Sequence, residues 1–347
     1  MNILVTGGAG YLGSIISAEL AVAGHKVTVY DAGWYGFEGI KDVQPRINVI
    51  QKDIRQILEE HINGNDAVIH LAALSNDPSF DFISTANWEM NYEATKRLVD
   101  LVVECEVDNF IFASTASVYG FDPWRKLDET SEINPQSNYG RSKVKCEEYI
   151  LETAKKTSLK PIILRMGTLM GASPRMRYDL VANAMIASAF FTGVIRVFAG
   201  GENWRPLLNV VDAANVYVDI VNRDLFAENK CEIFNVVRKN YRISELANYI
   251  KHCIMMIDSG YPIEILIDYE GQESRSYQIT GEKLKSKLGI EPSSGVLPTV
   301  QHLWSSFKAG QEPDYQDARN NNLKWMKALV SAEEVISKVG GILYLEK

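Results

Sequence analysis

The chain has 347 residues, 46% apolar and 23% charged, a balance that buries a sizeable core and excludes a disordered chain, a disulfide-stapled mini-protein and a collagen-like repeat. Thirty-six basic residues stand against 44 acidic ones, a formal charge of −8, so there is no electrostatic footprint for nucleic acid or an anionic membrane surface. The four cysteines, Cys105, Cys146, Cys231 and Cys253, form no CxxC pair and the five histidines no HExxH, which predicts reduced structural thiols and no metal site.

The chain opens directly on Ile3-Leu4-Val5-Thr6, with no basic segment before an apolar core. No apolar run approaches the roughly 20 residues of a membrane helix, and a cytoplasmic protein is expected. Ile3–Thr6 reads as a strand, Tyr11–Ala23 as a helix and Val27–Tyr30 as a second strand. Further strand-like runs follow at Ala67–Leu71, Phe110–Ala113 and Ile162–Leu164, with helical period over Thr85–Glu104 and Tyr139–Thr153. The alternation predicts an α/β fold: a doubly wound, mainly parallel sheet covered by helices on both faces. After about Gly171 the rhythm breaks. Residues 1–170 are expected to form a dinucleotide-binding domain, rejoined by 206–240 through a helix at Asp212–Asn222. Residues 171–205 and 241–330 would form a smaller, interleaved α/β substrate domain. Residues 331–347 read as a tail, apolar in part at Val335, Ile336, Ile342 and Leu343.

Thr6-Gly7-Gly8-Ala9-Gly10-Tyr11-Leu12-Gly13 follows the first strand and opens the first helix. Gly7, Gly10 and Gly13 allow a tight turn, close approach of backbone to a pyrophosphate, and close packing of helix on strand. The helix N-terminus behind them offers free N–H groups to the phosphates. The second strand ends in Asp31, an acid placed to accept the ribose hydroxyls of NAD and to repel a 2′-phosphate; Ala32 and Gly33 follow it, with no arginine. The cofactor expected is therefore NAD. Asp53, beside Ile54 and after a further strand-like stretch, could accept from the adenine amino group or simply cap a turn.

Tyr139 and Lys143 are four apart and share one helix face. A nearby ammonium lowers a phenol's pKa and makes Tyr139 a candidate general base toward an alcohol. Upstream, Ser114-Thr115-Ala116-Ser117 ends a strand, where a small hydroxyl residue could bond the same substrate oxygen or take part in ordinary turn chemistry.

Together TGGAGYLG, Asp31, Asp53, the HLAALS stretch (His70–Ser75), Asn91, STASVYG and YGRSK resemble the extended short-chain dehydrogenase/reductase family, in its nucleotide-sugar epimerase and dehydratase group. The resemblance spans roughly residues 1–300. It implies a Rossmann-type domain holding NAD, with Leu71, Ala72, Ala73 and Asn91 among its contacts, and a C-terminal domain gripping a UDP-, GDP- or CDP-type sugar. Thr115 and Tyr139 would bind the reacting hydroxyl, and Lys143 the nicotinamide ribose. Ser75, Ala116, Ser117, Thr168 and Leu180 would line the sugar site. A homodimer through the helices containing Thr95–Glu104 and Tyr139–Thr153 is implied too. Dehydratases of the group look like Thr-Asp-Glu at the turn and decarboxylases like Thr-Ser-Glu, whereas this chain has Thr115-Ala116-Ser117 and lacks that proton-handling carboxylate. It resembles instead the 4-epimerases, with a net 4-dehydrogenase or 4-keto reductase as the alternative. Arg205, in WRPLLNVVD, resembles the arginine that grips the substrate diphosphate, and Arg275 a second; a surface ion pair is the other reading of each. Ser173-Pro174-Arg175-Met176-Arg177 resembles a branch that includes nucleotide-heptose 4-dehydrogenases, with Arg175 and Arg177 toward phosphates or sugar. A non-catalytic NAD-sensing regulator would share the fold, but such proteins commonly lack the Tyr and Lys pair.

Overall fold

A computed structural model of the chain describes residues 1–75, 82, 87–226, 231–271, 275–311 and 313–338. Seven parallel strands form the central sheet: β1 (Asn2–Thr6), β2 (Lys26–Asp31), β3 (Ile47–Gln51), β4 (Ala67–His70), β5 (Asn109–Thr115), β7 (Lys160–Met166) and β11 (Glu232–Val236). Their order is β3-β2-β1-β4-β5-β7-β11, so the direction of winding reverses between β1 and β4. A crevice opens at such a reversal, beyond the carboxyl ends of the strands, and a ligand enters there.

Side-chain alternation explains why the strands are apolar throughout. Ile3, Val5, Ile111, Ile162 and Leu164 point to one face, where α1 (Gly13–Val22) packs Ile16 and Leu20, and α5 (Val210–Asn222) packs Ala213 and Tyr217. Leu4, Val68, Phe110, Phe112 and Ile163 point to the other, against Leu98 and Val102 of α2 (Ala94–Glu104) and Cys146 and Ile150 of α3 (Asn138–Ala154). Covered on both faces, such a sheet tolerates no polar alternation. Ser137 caps α3 by accepting from the Gly140 N–H at 3.0 Å, and Asn209 caps α5 through the Val211 N–H at 2.9 Å.

Three small sheets surround the crevice. β8 (Thr168–Met170), β10 (Trp204–Asn209) and β12 (Lys239–Arg242) form one, in the order β12-β10-β8. β9 (Val194–Val197) pairs with β13 (Glu264–Ile267), and β6 (Phe121–Leu127) with β14 (Ser276–Ile279). Beside short 3-10 turns, the other α-helices whose bounds fall among the described residues are α4 (Val181–Thr192), α6 (Ile243–Ile257), α7 (Glu282–Leu288), α8 (Val296–Ala309) and α9 (Asn322–Lys338).

Two elements differ from the sequence expectation. The helix expected over Thr85–Glu104 is helical throughout its described residues, 87–104, but carries a π turn at Glu89–Glu93 before α2; residues 85 and 86 lie outside the described set. The expected tail from Ser331 is the end of α9, which packs Met326 against Leu74 and Met90; Ile342 and Leu343 lie outside the described residues. Among the described residues no helix is long and apolar enough to cross a membrane, and no group of three or more His, Cys, Asp or Glu could hold a metal ion.

Candidate active site

The crevice is a cleft of about 740 Å³ running from the glycine loop to the small sheets. At its first wall Gly7 has φ +72°, and a Cβ there would stand 2.7 Å from the Ala72 nitrogen. A Cβ on Gly13 would stand 2.2 Å from the Gly7 carbonyl oxygen. The backbone turn therefore closes only with glycine at both places, which leaves main-chain N–H groups facing the space a diphosphate would fill. Asp31 ends β2 on the same wall and accepts from the backbone of Ala9 at 3.1 Å and Gly33 at 2.9 Å. Burial pushes its carboxyl up, against the pull of those two N–H groups. Gly10, Tyr11, Leu12, Asp53 and Ile54 also line the cleft. The Tyr11 hydroxyl is used internally, donating to the Gly171 carbonyl at 2.6 Å. Asp53 does cap its turn: both carboxylate oxygens hold Arg55, with an ion pair at 2.7 Å.

Behind this wall a polar relay crosses the core. Thr95 donates its hydroxyl to the Asn91 carbonyl at 2.7 Å, so toward His70 Nε2, 2.8 Å away, it can only accept. That assigns the proton of His70 to Nε2 and leaves Nδ1 to accept from the Thr6 hydroxyl at 2.7 Å. Burial, helped by the Lys143 charge, pulls His70 down to about 3, so the ring is neutral across the working range. Asn91 spends its amide on the main chain of Leu74, accepting from N–H at 2.8 Å and donating to C=O at 3.0 Å. Of the residues expected at the cofactor, Asn91 alone does not line the cleft; it fixes the loop after β4, whose Leu71, Ala72 and Ala73 do.

Thr115 ends β5 and its hydroxyl accepts from the Ser117 N–H at 3.2 Å, with the Ser117 hydroxyl 3.1 Å away. Thr115, Ser117, Tyr139 and Lys143 all line the cleft. Ala116, expected beside the sugar, does not: it is 1% exposed and packs beneath the turn. Lys143 Nζ donates to the Ala113 carbonyl at 2.8 Å and lies 6.0 Å from the Tyr139 ring centre. Burial pulls the ammonium down to about 8. Under the turn, Glu147 accepts from Ser114 and forms a buried pair with Arg165 at 2.7 Å; Arg165 in turn donates to the Tyr119 hydroxyl at 2.9 Å.

The arginines fall on two different walls. Arg205 is 6% exposed and donates to the Arg275 carbonyl at 2.7 Å, which brings the two expected diphosphate residues together at the small sheets. Arg177 is held by Asp179 at 2.6 Å and donates to the Ser75 hydroxyl at 2.9 Å. Arg175 stacks over Tyr35, 3.9 Å from its ring centre, on a segment that hydrogen-bonds back to the glycine loop through Ser173 and the Tyr11 carbonyl at 2.6 Å. Thr168 and Leu180 line the cleft too. Trp34, Tyr35, Arg196, Phe198, Tyr315 and Asn322 were not foreseen there. They carry no motif, and only long-range packing delivers them.

A profile of the NAD dependent epimerase/dehydratase family matches residues 3–236. The chain belongs to that family. It is 32% identical over 323 residues to the UDP-glucose 4-epimerase of Rhizobium meliloti, covering 88% of this chain and 96% of the relative. To the UDP-glucose 4-epimerase of Corynebacterium glutamicum it is 26% identical over 329 residues, covering 89% and 96%. Among solved structures, UDP-glucuronic acid 4-epimerase from Bacillus cereus, in complex with UDP-glucuronic acid and NAD, superposes with a TM-score of 0.76 at 23% identity, covering 89% of this chain and 99% of that one. A dTDP-glucose 4,6-dehydratase from Streptomyces venezuelae gives 0.75 at 22%, covering 89% and 98%. At these identities the superpositions establish the fold alone. As a member of the epimerase/dehydratase family the chain is an NAD-dependent enzyme, and its glycine cradle and buried Asp31 suit that cofactor.

Proposed function

We propose that this enzyme is a nucleotide-diphosphate-sugar 4-epimerase. The observation that carries the reading is the pairing of Tyr139 and Lys143 with Thr115 in a cleft whose described carboxylates are all engaged elsewhere. Asp31 holds the glycine loop, Asp53 holds Arg55, and Asp179 holds Arg177. Glu147, eight residues along α3 from the tyrosine, is locked beneath the turn by Arg165. A dehydratase needs a carboxyl group to move a proton at the carbons beside C4, and none of these is free to do so.

In this reading Arg205 and Arg275 hold the diphosphate, with guanidinium geometry that lysine cannot reproduce. Thr115 orients the C4 hydroxyl. Tyr139, as phenolate, takes the hydroxyl proton onto its own oxygen, and the buried Lys143 charge stabilises the phenolate before transfer. Bound NAD supplies the hydride acceptor and donor at C4. After the ketone turns within the cleft, Tyr139 returns the proton to the C4 oxygen and the opposite configuration results. UDP is the nucleotide in the sugar that names both relatives and is the first to test. Tyr139→Phe, folded and NAD-loaded, should lose at least about 100-fold in turnover, the usual size of a general-base contribution. Near-wild-type turnover in that variant would overturn the reading. Release of a free 4-keto product with trapped NADH would reassign the enzyme to net oxidation.

A further inference from the structure

We infer that Arg175 is the cation that neutralises the diphosphate of the cofactor, held for that task by Asn322 of α9. The inference rests on NAD occupying the cleft. Arg175 is 7% exposed, and among the described residues its only hydrogen bonds run from Nη2, to Asn322 Oδ1 at 2.6 Å and to the Arg319 carbonyl at 3.4 Å. Its Nε is buried without a partner. No carboxylate among the described residues pairs with it, in contrast to Arg177, which Asp179 neutralises. A guanidinium taken out of water with neither ion pair nor full hydrogen bonding is costly to fold. Such a group is retained where an anion completes it.

Position says which anion. The backbone of Arg175 packs on Gly39, in the 3-10 helix Glu38–Arg46 that follows β2, and Ser173 is hydrogen-bonded to Tyr11 and within 3.2 Å of Ser14 at the start of α1. Arg175 thus sits between the glycine loop and the ribose acid, where the dinucleotide's phosphates lie in a cradle of this kind. The sugar nucleotide's diphosphate has its own pair, Arg205 and Arg275. Asn322 donates to the Ser75 hydroxyl at 3.3 Å while accepting from Arg175, so one amide ties α9 to both sides of the cleft. It is a positioning residue.

The test uses the full-length enzyme, stripped of nucleotide and titrated by calorimetry. Arg175→Met should weaken NAD binding roughly ten- to a hundredfold, the usual worth of a hydrogen bond to a charged group. It should leave unchanged the affinity for whichever of UDP, GDP or CDP wild type binds best. Without NAD, the variant should melt no lower than wild type, because an unpaired buried charge has gone; a purely structural arginine would do the opposite. Asn322→Ala should weaken NAD in the same direction by a smaller factor. Unchanged NAD affinity in Arg175→Met, or loss of nucleotide-diphosphate affinity instead, overturns the assignment. Wild type that binds no NAD at all would sink the cofactor reading along with it.

Discussion

In the proposed 4-epimerase, Lys143 would serve Tyr139 only while it is charged. Burial holds its ammonium near 8, well below a free lysine, so the proton is present at neutral pH and leaves as the pH rises through 8. Above that value the phenolate of Tyr139 loses its counter-charge. The kcat/KM profile should therefore fall on the alkaline side with an apparent pKa near 8; a profile flat to pH about 10 would mean that this charge is not needed. For stability the sign is opposite. The unfolded chain keeps the proton up to its ordinary value, so folding becomes more favourable as pH rises from about 8 through that range. The placement of residues on the cleft was largely legible beforehand: the glycines, Asp31, Tyr139 and Lys143 line it, each marked by a strand end or by spacing within one turn or one helix. Asn322 and Tyr35 were not, since their neighbours lie up to hundreds of residues away. Asn91 and Ala116 show a subtler gap. The family resemblance placed them near ligand, but neither lines the cleft: Asn91 is spent on the main chain of Leu74, and Ala116 is buried beneath its turn.

At the scale of elements, the turn after β5 is fixed from below. Glu147 on α3, Arg165 on β7 and Tyr119 after the turn form one buried chain that ends on Asn235 of β11, 2.8 Å from the Tyr119 hydroxyl. Four elements meet there. Glu147→Ala leaves Arg165 charged and unpaired, and should cost about 3–5 kcal/mol in urea unfolding. A loss under 1 kcal/mol would show that water replaces the carboxylate. Five of the seven main strands announce themselves as apolar runs, and a sixth as the strand-like stretch before Asp53. The last, β11, reads Glu-Ile-Phe-Asn-Val; it forms an outer edge, its Asn is claimed by the buried chain, and so its sequence lacks the plain apolar signal. The short strands around the cleft are equally quiet, being half-polar and three to seven residues long. α9 hides for another reason. Only a few of its side chains, Met326 and Leu329 among them, touch the body.

For the whole molecule, α2 and α3 lie side by side, joined by Tyr149 donating to Asp100 and by Lys96 over the Tyr149 ring at 5.5 Å. We propose that this pair meets its symmetry mate, giving an isologous homodimer. Light scattering in solution should return twice the mass of the chain, and Cys-free variants should do the same. A single-chain mass at micromolar concentration would refute the dimer.

The seventh strand has a consequence for how this enzyme is made. β7 ends at Met166, but the partner that covers its outer edge, β11, begins at Glu232. During translation the ribosome must add roughly 70 residues, about 4 to 14 seconds at ordinary elongation rates, before that edge can be paired. Throughout that interval Ile162, Ile163 and Leu164 lie on an unpaired margin, the kind of surface that recruits another chain. The nascent polypeptide therefore cannot finish its nucleotide-binding half first and add the rest later. Part of the cleft's far wall, β8 and β10 with Arg205, emerges in between, and synthesis itself obliges both parts to mature together.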